Sequence, residues 1–374
     1  MGIYIHVPFC GSICSYCHFA RTAEHGAALR ARYVEGVLRE MELRRERCAV
    51  LGAARRPLHT CYLGGGTPSE LEPELMTRLL AGVLDGLPLA ADFELTAEAN
   101  PESLTTEVAT AWRAAGIERI SLGVQSLDAE VLQLLGRQCD PATARAGLDL
   151  ACANFERVSA DWIIGPGLAK DSLLAELSEA VERGVEHFSV YILEVHEGTA
   201  LQRDIHAGSL QMPSDAHTER LYLAVGRHLE SLGFAQYEVA NFARPGAESR
   251  HNRSYWSGRP YLGLGPGAHG FWGRRRYANE STQEQWLAAL DENRLPEAVV
   301  DPLNRQARRL ERAILALRTR EGVPLDWLPD NSLDLERGQA NYWWRLDDDR
   351  LILTRLGFLR IDAIEAAIAA RILS

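Results

Sequence analysis

Short apolar, β-branched runs alternate in the first half of the chain with longer stretches whose apolar residues return every three or four positions. The short runs predict strands at 3–7, 59–63, 93–97, 119–123, 158–164 and 187–193. Helices are predicted between them at 27–48, 72–86, 104–115, 128–136, 141–154 and 171–184. The first helix shows the needed stripe, with Leu29, Tyr33, Val37 and Met41 at four-residue spacing and Arg and Glu between them. Right-handed crossovers coil such units into an open β/α barrel; a flat doubly wound sheet is the alternative that periodicity leaves standing. Each predicted strand runs straight into a polar or Gly-rich segment: 10–17, Gly64-Gly65-Gly66-Thr67-Pro68, Glu98-Ala99-Asn100-Pro101, Gln125-Ser126, Gly165-Pro166-Gly167 and 194–199. In β/α barrels these loops meet on one face, so the expectation is one large site.

Past residue 200 the rhythm fades. A helix near 215–233 leads into a Gly-rich, aromatic stretch at 251–272. From Asn304 a helix carrying Leu310, Ile314 and Leu317 is followed by a second helical piece. The runs 350–353 and 358–360, on either side of 354–357, then precede a final helix. That order predicts a winged-helix-like module. The resulting division is a partial β/α barrel over 1–200, an extension over 201–303 and the C-terminal domain over 304–374.

Composition narrows the function. The 374 residues are 46% hydrophobic and 24% charged, values of a globular chain with a sizeable core. Lys+Arg is 40 against Asp+Glu 51, a net charge of -11 that argues against a general nucleic-acid or anionic-membrane binder. Arg274-Arg275-Arg276 is the one tight cationic run, and the acidic Asp347-Asp348-Asp349 speaks against DNA binding by the last module. No apolar run reaches the length of a membrane span and the start does not read as a secretory signal, so the expected location is the cytoplasm. Seven cysteines, an odd number, do not suggest a disulfide framework. Three crowd into eight residues.

Cys10, Cys14 and Cys17 are spaced C-x3-C-x2-C. Three thiolates on a short loop can hold three irons of a [4Fe–4S] cube and leave the fourth open to a substrate. Zinc is the competing reading, with His18 or His25 completing four ligands, although no second C-x2-C pair is present. Cys48, Cys61, Cys139 and Cys152 read as buried small hydrophobes. Gly64–Gly66 either form a tight turn or let a ligand approach the main chain. Glu98 and Asp161 end strands, where a carboxylate binds hydroxyls or an ammonium; a helix cap is the plainer role. Gln125 and Arg137 follow the fourth strand and are either ligand contacts or solvated.

The cysteine spacing directly after a first strand resembles the radical S-adenosylmethionine (SAM) superfamily, in which the open iron chelates SAM and cleaves it to a 5′-deoxyadenosyl radical. Tyr16 matches the aromatic position found there near adenine, or else packs the loop. More narrowly the chain resembles the oxygen-independent coproporphyrinogen III oxidases and the related HemW heme chaperones. The resemblance runs from about Tyr4 to the C-terminus, through IYIHVPFC (3–10), YLGGGTPS (62–69), EANP (98–101), RISLGVQS (119–126), LGR (135–137), HFSVYIL (187–193), HNRSYW (251–256) and YLGLGPGAHG (261–270). It implies SAM contacts at Tyr4, Gly65, Gly66, Thr67, Glu98, Gln125, Arg137 and Asp161. HNRSYW matches a motif associated with heme binding in the chaperones, making His251 a heme-site residue and His269 a weaker one; an imidazole ligates iron and aromatic rings face a macrocycle.

Phe19 stands where the oxidases carry a further cysteine, and only nine residues precede Cys10, so the chaperone branch is favoured. The chain departs from the family pattern at 161–171 (DWIIGPGLAKD, where DLI(F/Y)GLPGQ is usual), at His196 in place of a glutamate and at His18 in place of an aspartate. The resemblance implies a [4Fe–4S] cluster, SAM and heme as bound groups. The implied partners are a cluster reductant and apo-heme proteins that receive the heme. Whether SAM is cleaved, and so whether the chain is a catalyst or a carrier, stays open. The rival functions are oxidative decarboxylation of coproporphyrinogen III and radical C-methylation.

Overall fold

Six parallel strands form where the alternating pattern predicts them: β1 (Gly2–Val7), β2 (Leu58–Gly65), β3 (Leu89–Ala99), β4 (Arg119–Gln125), β5 (Arg157–Ile164) and β6 (His187–Ile192). The structure, a computed structural model, describes residues 1–50, 56–329 and 333–372, with residues 48–50 described in backbone only; the side chain of Cys48 therefore lies outside the described residues. Each strand pairs with the next in parallel register, with Ile5 beside Leu63 and Ala97 beside Ile120. Alternate residues take opposite faces. Ile3, Ile5, Cys61, Leu63, Leu95, Ala97, Ile120, Leu122, Val158 and Ala160 belong to the hydrophobic core. The residues between them, such as Tyr4, Tyr62, Glu98, Ser121 and Asp161, give the other face a polar lining.

The helices α1 (Ala27–Val50), α2 (Pro73–Leu84), α3 (Thr106–Ala114), α4 (Ala129–Leu134), α5 (Pro141–Asn154) and α6 (Lys170–Arg183) fill the predicted crossovers. In α1, Tyr33, Val37 and Met41 are buried and Leu29 is partly so, the stripe the sequence shows.

Beyond α7 (Ala200–His206) and α8 (Asp215–Ser231) the sheet continues into the extension. The strands β7 (Ala235–Gln236), β8 (Asn241–Ala243), β9 (Tyr261–Leu264), β10 (His269–Trp272), β11 (Arg275–Asn279) and β12 (Glu297–Pro302) join both of its flanks, with α9 (Arg250–Trp256) and α10 (Gln283–Asp291) between them. The order is β12-β11-β10-β9-β1-β2-β3-β4-β5-β6-β8-β7, an open sheet of 12 strands. β9 lies parallel to β1, whereas β8 is antiparallel to β6. A buried ionic network ties the β9–β12 flank to α1. Glu40 accepts from Arg44 Nε (2.8 Å), Asn279 Nδ2 (2.9 Å), Trp286 Nε1 (2.9 Å) and the Gly265 amide (2.9 Å), and Arg44 reaches Glu297 at 3.0 Å.

The last 70 residues contain α11 (Arg305–Leu317), β13 (Val323–Pro324), α12 (Leu335–Ala340), β14 (Trp344–Asp347), β15 (Arg350–Leu353), α13 (Arg355–Phe358) and α14 (Ile361–Ile372). The run 350–353 forms a strand, but 358–360 does not; the partner strand comes from the residues before 350. The turn of this hairpin is Asp348-Asp349, with Asp348 at φ 50, and its strands are β14 and β15. Residues 354–357 start a helix instead, because the Thr354 hydroxyl caps it by accepting from the Gly357 amide at 3.2 Å. This module packs on the barrel: Ala313, Leu317, Leu351, Phe358 and Ile368 share its core, and Arg355 Nε donates to Gln236 Oε1 at 3.0 Å. Of the cationic run, Arg275 pairs with Glu297 and Arg276 with Glu311. No helix among the described residues is long and apolar enough to cross a membrane.

Candidate functional site

The segments that follow β1, β2, β3, β4 and β6 share one cleft of ≈ 410 Å³, a volume typical of sites for small ligands, and β5 contributes Asp161 and Ile163 to it. The Gly165-Pro166-Gly167 segment, expected at the same site, lines a separate pocket with Met212 and His217. The cleft brings together Cys10, Cys14, Cys17, Tyr16, Gly65, Gly66, Thr67, Glu98, Gln125, Arg137 and Asp161, all predicted from the sequence. The cysteine loop is moored on several sides. The Cys10 amide donates to Thr22 O (3.0 Å), Ser15 N to Leu135 O (3.2 Å) and Leu201 N to Ser15 O (2.8 Å). Two of the thiols also receive side-chain donors: Thr67 Oγ1 reaches Cys10 Sγ and Arg137 Nη1 reaches Cys14 Sγ, each at 3.6 Å.

At the ends of β2 and β3, Glu98 accepts from the Tyr62 hydroxyl (2.6 Å) at one oxygen and from the Gly65 amide (3.1 Å) at the other. Burial pushes its carboxyl up to about 7, against the pull of Tyr62 and with a push from nearby Asp161. Asp161 rises to about 6 by burial, opposed by hydrogen bonds from Ser189 and Ser121. The glycine triplet is demanded by its protein neighbours as much as by any ligand. A Cβ on Gly64 would strike the Glu98 carboxyl, one on Gly66 the main chain after β1, and one on Gly65, at φ +109, the His6 ring. Gln125 sits at φ 69, a left-handed conformation uncommon for a side-chain-bearing residue. Its neighbours are clamped by Glu176 of α6, which accepts from the Leu127 amide (2.8 Å), Ser126 Oγ (3.0 Å) and Trp162 Nε1 (2.9 Å).

Residues 4–180 match the Radical SAM superfamily. Over 370 residues the chain is 40% identical to the heme chaperone HemW of Mycobacterium tuberculosis, covering 97% of this chain and 93% of that protein. It is 33% identical to HemW of Lactococcus lactis, covering 86% and 82%. The chain belongs to the HemW family of radical SAM proteins. A solved structure of the coproporphyrinogen III oxidase HemN from Escherichia coli superposes with a TM-score of 0.83 at 22% identity, over 98% of this chain and 89% of that one, which shows the shared fold.

Membership in the radical SAM superfamily implies a [4Fe–4S] cluster and SAM, and the side chains fit both. The cysteines are free thiols. Burial raises Cys10 to about 11 and also raises Cys17, so these sulfurs keep their protons until iron replaces them. Arg137 is nearly buried, and its Nε has no hydrogen-bond partner among the described residues. An unspent donor of this kind, together with two raised carboxyls, suits a ligand that carries both an anionic and a cationic group, as SAM does.

Three predicted residues lie away from the HemW-family cleft. Tyr4 stacks on Tyr62 (6.2 Å between centroids), and its hydroxyl meets His6 Nδ1 at 3.1 Å. His251 is 1% exposed. Its Nδ1 is bonded to Thr60 Oγ1 (2.8 Å) and its Nε2 to the Tyr255 hydroxyl (2.7 Å), and burial drives its pKa down to about 3. The sequence expectation was an imidazole offered to heme iron; here both ring nitrogens are committed inside the protein. His269 is exposed at the start of β10, outside the cleft.

Three residues gained a role only in three dimensions. Trp162, one of the departures from the family pattern, donates to Glu176 and so helps hold the Gln125 turn. His18 and His196, two further departures, stack on each other at the cleft rim with 3.6 Å between ring centroids. No sequence signal linked either pair, because the partners come from separate loops and elements.

Proposed function

We propose that this protein is a heme chaperone. It holds a [4Fe–4S] cluster on Cys10, Cys14 and Cys17, takes SAM on the surrounding loops, and carries heme as cargo to apo-heme proteins in the cytoplasm. The observation that carries the reading is similarity to HemW over nearly the full length of both chains. When bound, the cluster supplies an open iron that can chelate SAM and, once reduced, cleave it. The chain's own residues set the stage for that chemistry. Tyr16, Gly65, Gly66, Thr67, Gln125 and Arg137 would contact SAM, Glu98 and Asp161 would meet its ammonium or ribose hydroxyls, and Tyr4 would support this surface from behind. His251, by its internal bonds, would steady Tyr62 and through it Glu98.

Anaerobic reconstitution with iron and sulfide, followed by titration with ferric heme, tests the reading. The expected result is saturable uptake of one heme per chain and its release to an apo-cytochrome. Absence of saturable uptake, or robust conversion of coproporphyrinogen III to protoporphyrinogen by the same preparation, would overturn it.

A further inference from the structure

We propose that the rim of the cleft, and not His251, supplies the heme ligand, through the stacked pair His18 and His196. This inference rests on the heme-chaperone reading and assigns the place where the cargo docks. Iron in a porphyrin is held by an imidazole nitrogen whose lone pair is free. His251 offers none, since both of its nitrogens are bonded internally. His6 and His187 are committed in the same way, the first to Tyr4 and Ala20, the second to Ser159 and Tyr237.

The rim pair is different. Both rings line the cleft. Among the described residues neither makes a hydrogen bond, and the nearest charged partner is Glu194, 3.4 Å from His196 Nε2. They are carried by different loops, His18 directly after Cys17 and His196 in the segment after β6. Contact between the loops is therefore made by the rings themselves, 3.6 Å apart at an interplanar angle of 35°.

The surroundings suit a macrocycle. Ile13 is 49% exposed, Phe19 53% and Tyr191 46%; these are three of the eight large hydrophobics that are exposed among the described residues, and all three line this one opening, while a fourth, Val195 (42%), is the chain neighbour of His196. Apolar side chains left in water beside an unused imidazole recover free energy when a flat hydrophobic ligand covers them. A single metal ion would not need that surface, and SAM would not need the imidazole. Rings stacked this closely leave no room for a porphyrin between them. One imidazole therefore ligates from one side of the macrocycle while the other supports it. The step is simple ligation: the imidazole lone pair replaces a weak ligand such as water on ferric iron, and no electron changes hands.

The experiment uses the full chain carrying its cluster, ferric heme as the probe, and absorption and EPR spectra as readouts. Wild type is compared with the His18→Ala/His196→Ala double variant, with His196→Ala alone and with His251→Ala. The expected result is an imidazole-ligated spectrum in wild type and in His251→Ala. The double variant should lose that signature, bind heme at least about tenfold more weakly, and recover the spectrum when free imidazole is added. His196→Ala lies on a different loop from the cysteines and decides the matter should the double variant lose its cluster, since it should also weaken binding. Wild-type spectrum and affinity in the histidine variants, or loss of the imidazole signature in His251→Ala alone, would overturn the assignment while leaving the chaperone reading intact. Failure of wild type to take up heme at all would remove that reading, and this proposal with it.

Discussion

The ring of Tyr62 lies against that of His251, 5.0 Å between centroids and 25° from parallel, and its hydroxyl reaches Glu98. The histidine of the HNRSYW segment thus supports a phenol that holds a carboxylate of the cleft. Tyr62→Phe should remove one bond to that carboxylate and weaken SAM binding by roughly tenfold, because hydrogen bonds to charged groups are worth about 1.5–3 kcal/mol. The pH midpoint of binding should also move upward, since the Tyr62 bond holds the Glu98 pKa down. Equilibrium dialysis with labelled SAM across pH would read both effects.

Glu98 also makes the ligand-free protein sensitive to pH. Its carboxyl is raised from 4.5 to about 7 in the folded state, so the fold binds this proton more tightly than the unfolded chain does. The contribution is fully present below pH 4.5 and is lost as pH rises through about 7. Glu98→Gln should therefore stabilise the ligand-free protein at pH 8 by about 1–2 kcal/mol, the full shift being discounted because the group borders the cleft. With the SAM ammonium on Glu98, wild-type affinity should fall by up to about tenfold per pH unit below 7, and the variant should lose that slope. Thermal melts and calorimetric titrations would check the two halves.

The Thr67 hydroxyl aimed at Cys10 Sγ should tune the cluster. A donor to a ligand sulfur favours the reduced, more negative cube, so Thr67→Val should lower the reduction potential by some tens of millivolts (~20–60 mV) while leaving iron content unchanged. Redox titration followed by EPR would show it.

Glu40 is fully buried, and four donors converge on it. Glu40→Ala leaves Arg44 with Glu297 as its one carboxylate partner and strands the Trp286 and Gly265 N–H groups, and should cost about 3–5 kcal/mol of stability. A drop in Tm of several degrees, without loss of the cysteine-loop mooring, is expected. Cluster incorporation below the melting temperature should be near normal.

Much of this was legible before any coordinates. The parallel strands announce themselves because β-branched runs and helical stripes have different periods, and the cysteine loop because three thiols in eight residues are hard to explain otherwise. The flanking strands β7 to β12 were missed because most are short and lack the β-branched runs of β1 to β6, so pairing along the sheet decides them, not local preference. The run 358–360 ends as helix because the Thr354 hydroxyl caps the turn that precedes it. The burial of His251 and the stacking of His18 on His196 were invisible for a simpler reason. Each depends on residues far apart in the chain, and one sequence read alone carries no sign of who meets whom.

The mooring of Ser15 to Leu135 and Leu201 has a consequence that reaches beyond the loop. A loop fastened by main-chain bonds to the end of α4 and the start of α7 shares its position with both. Substitutions that shift either helix would therefore disturb the thiols without touching a cysteine.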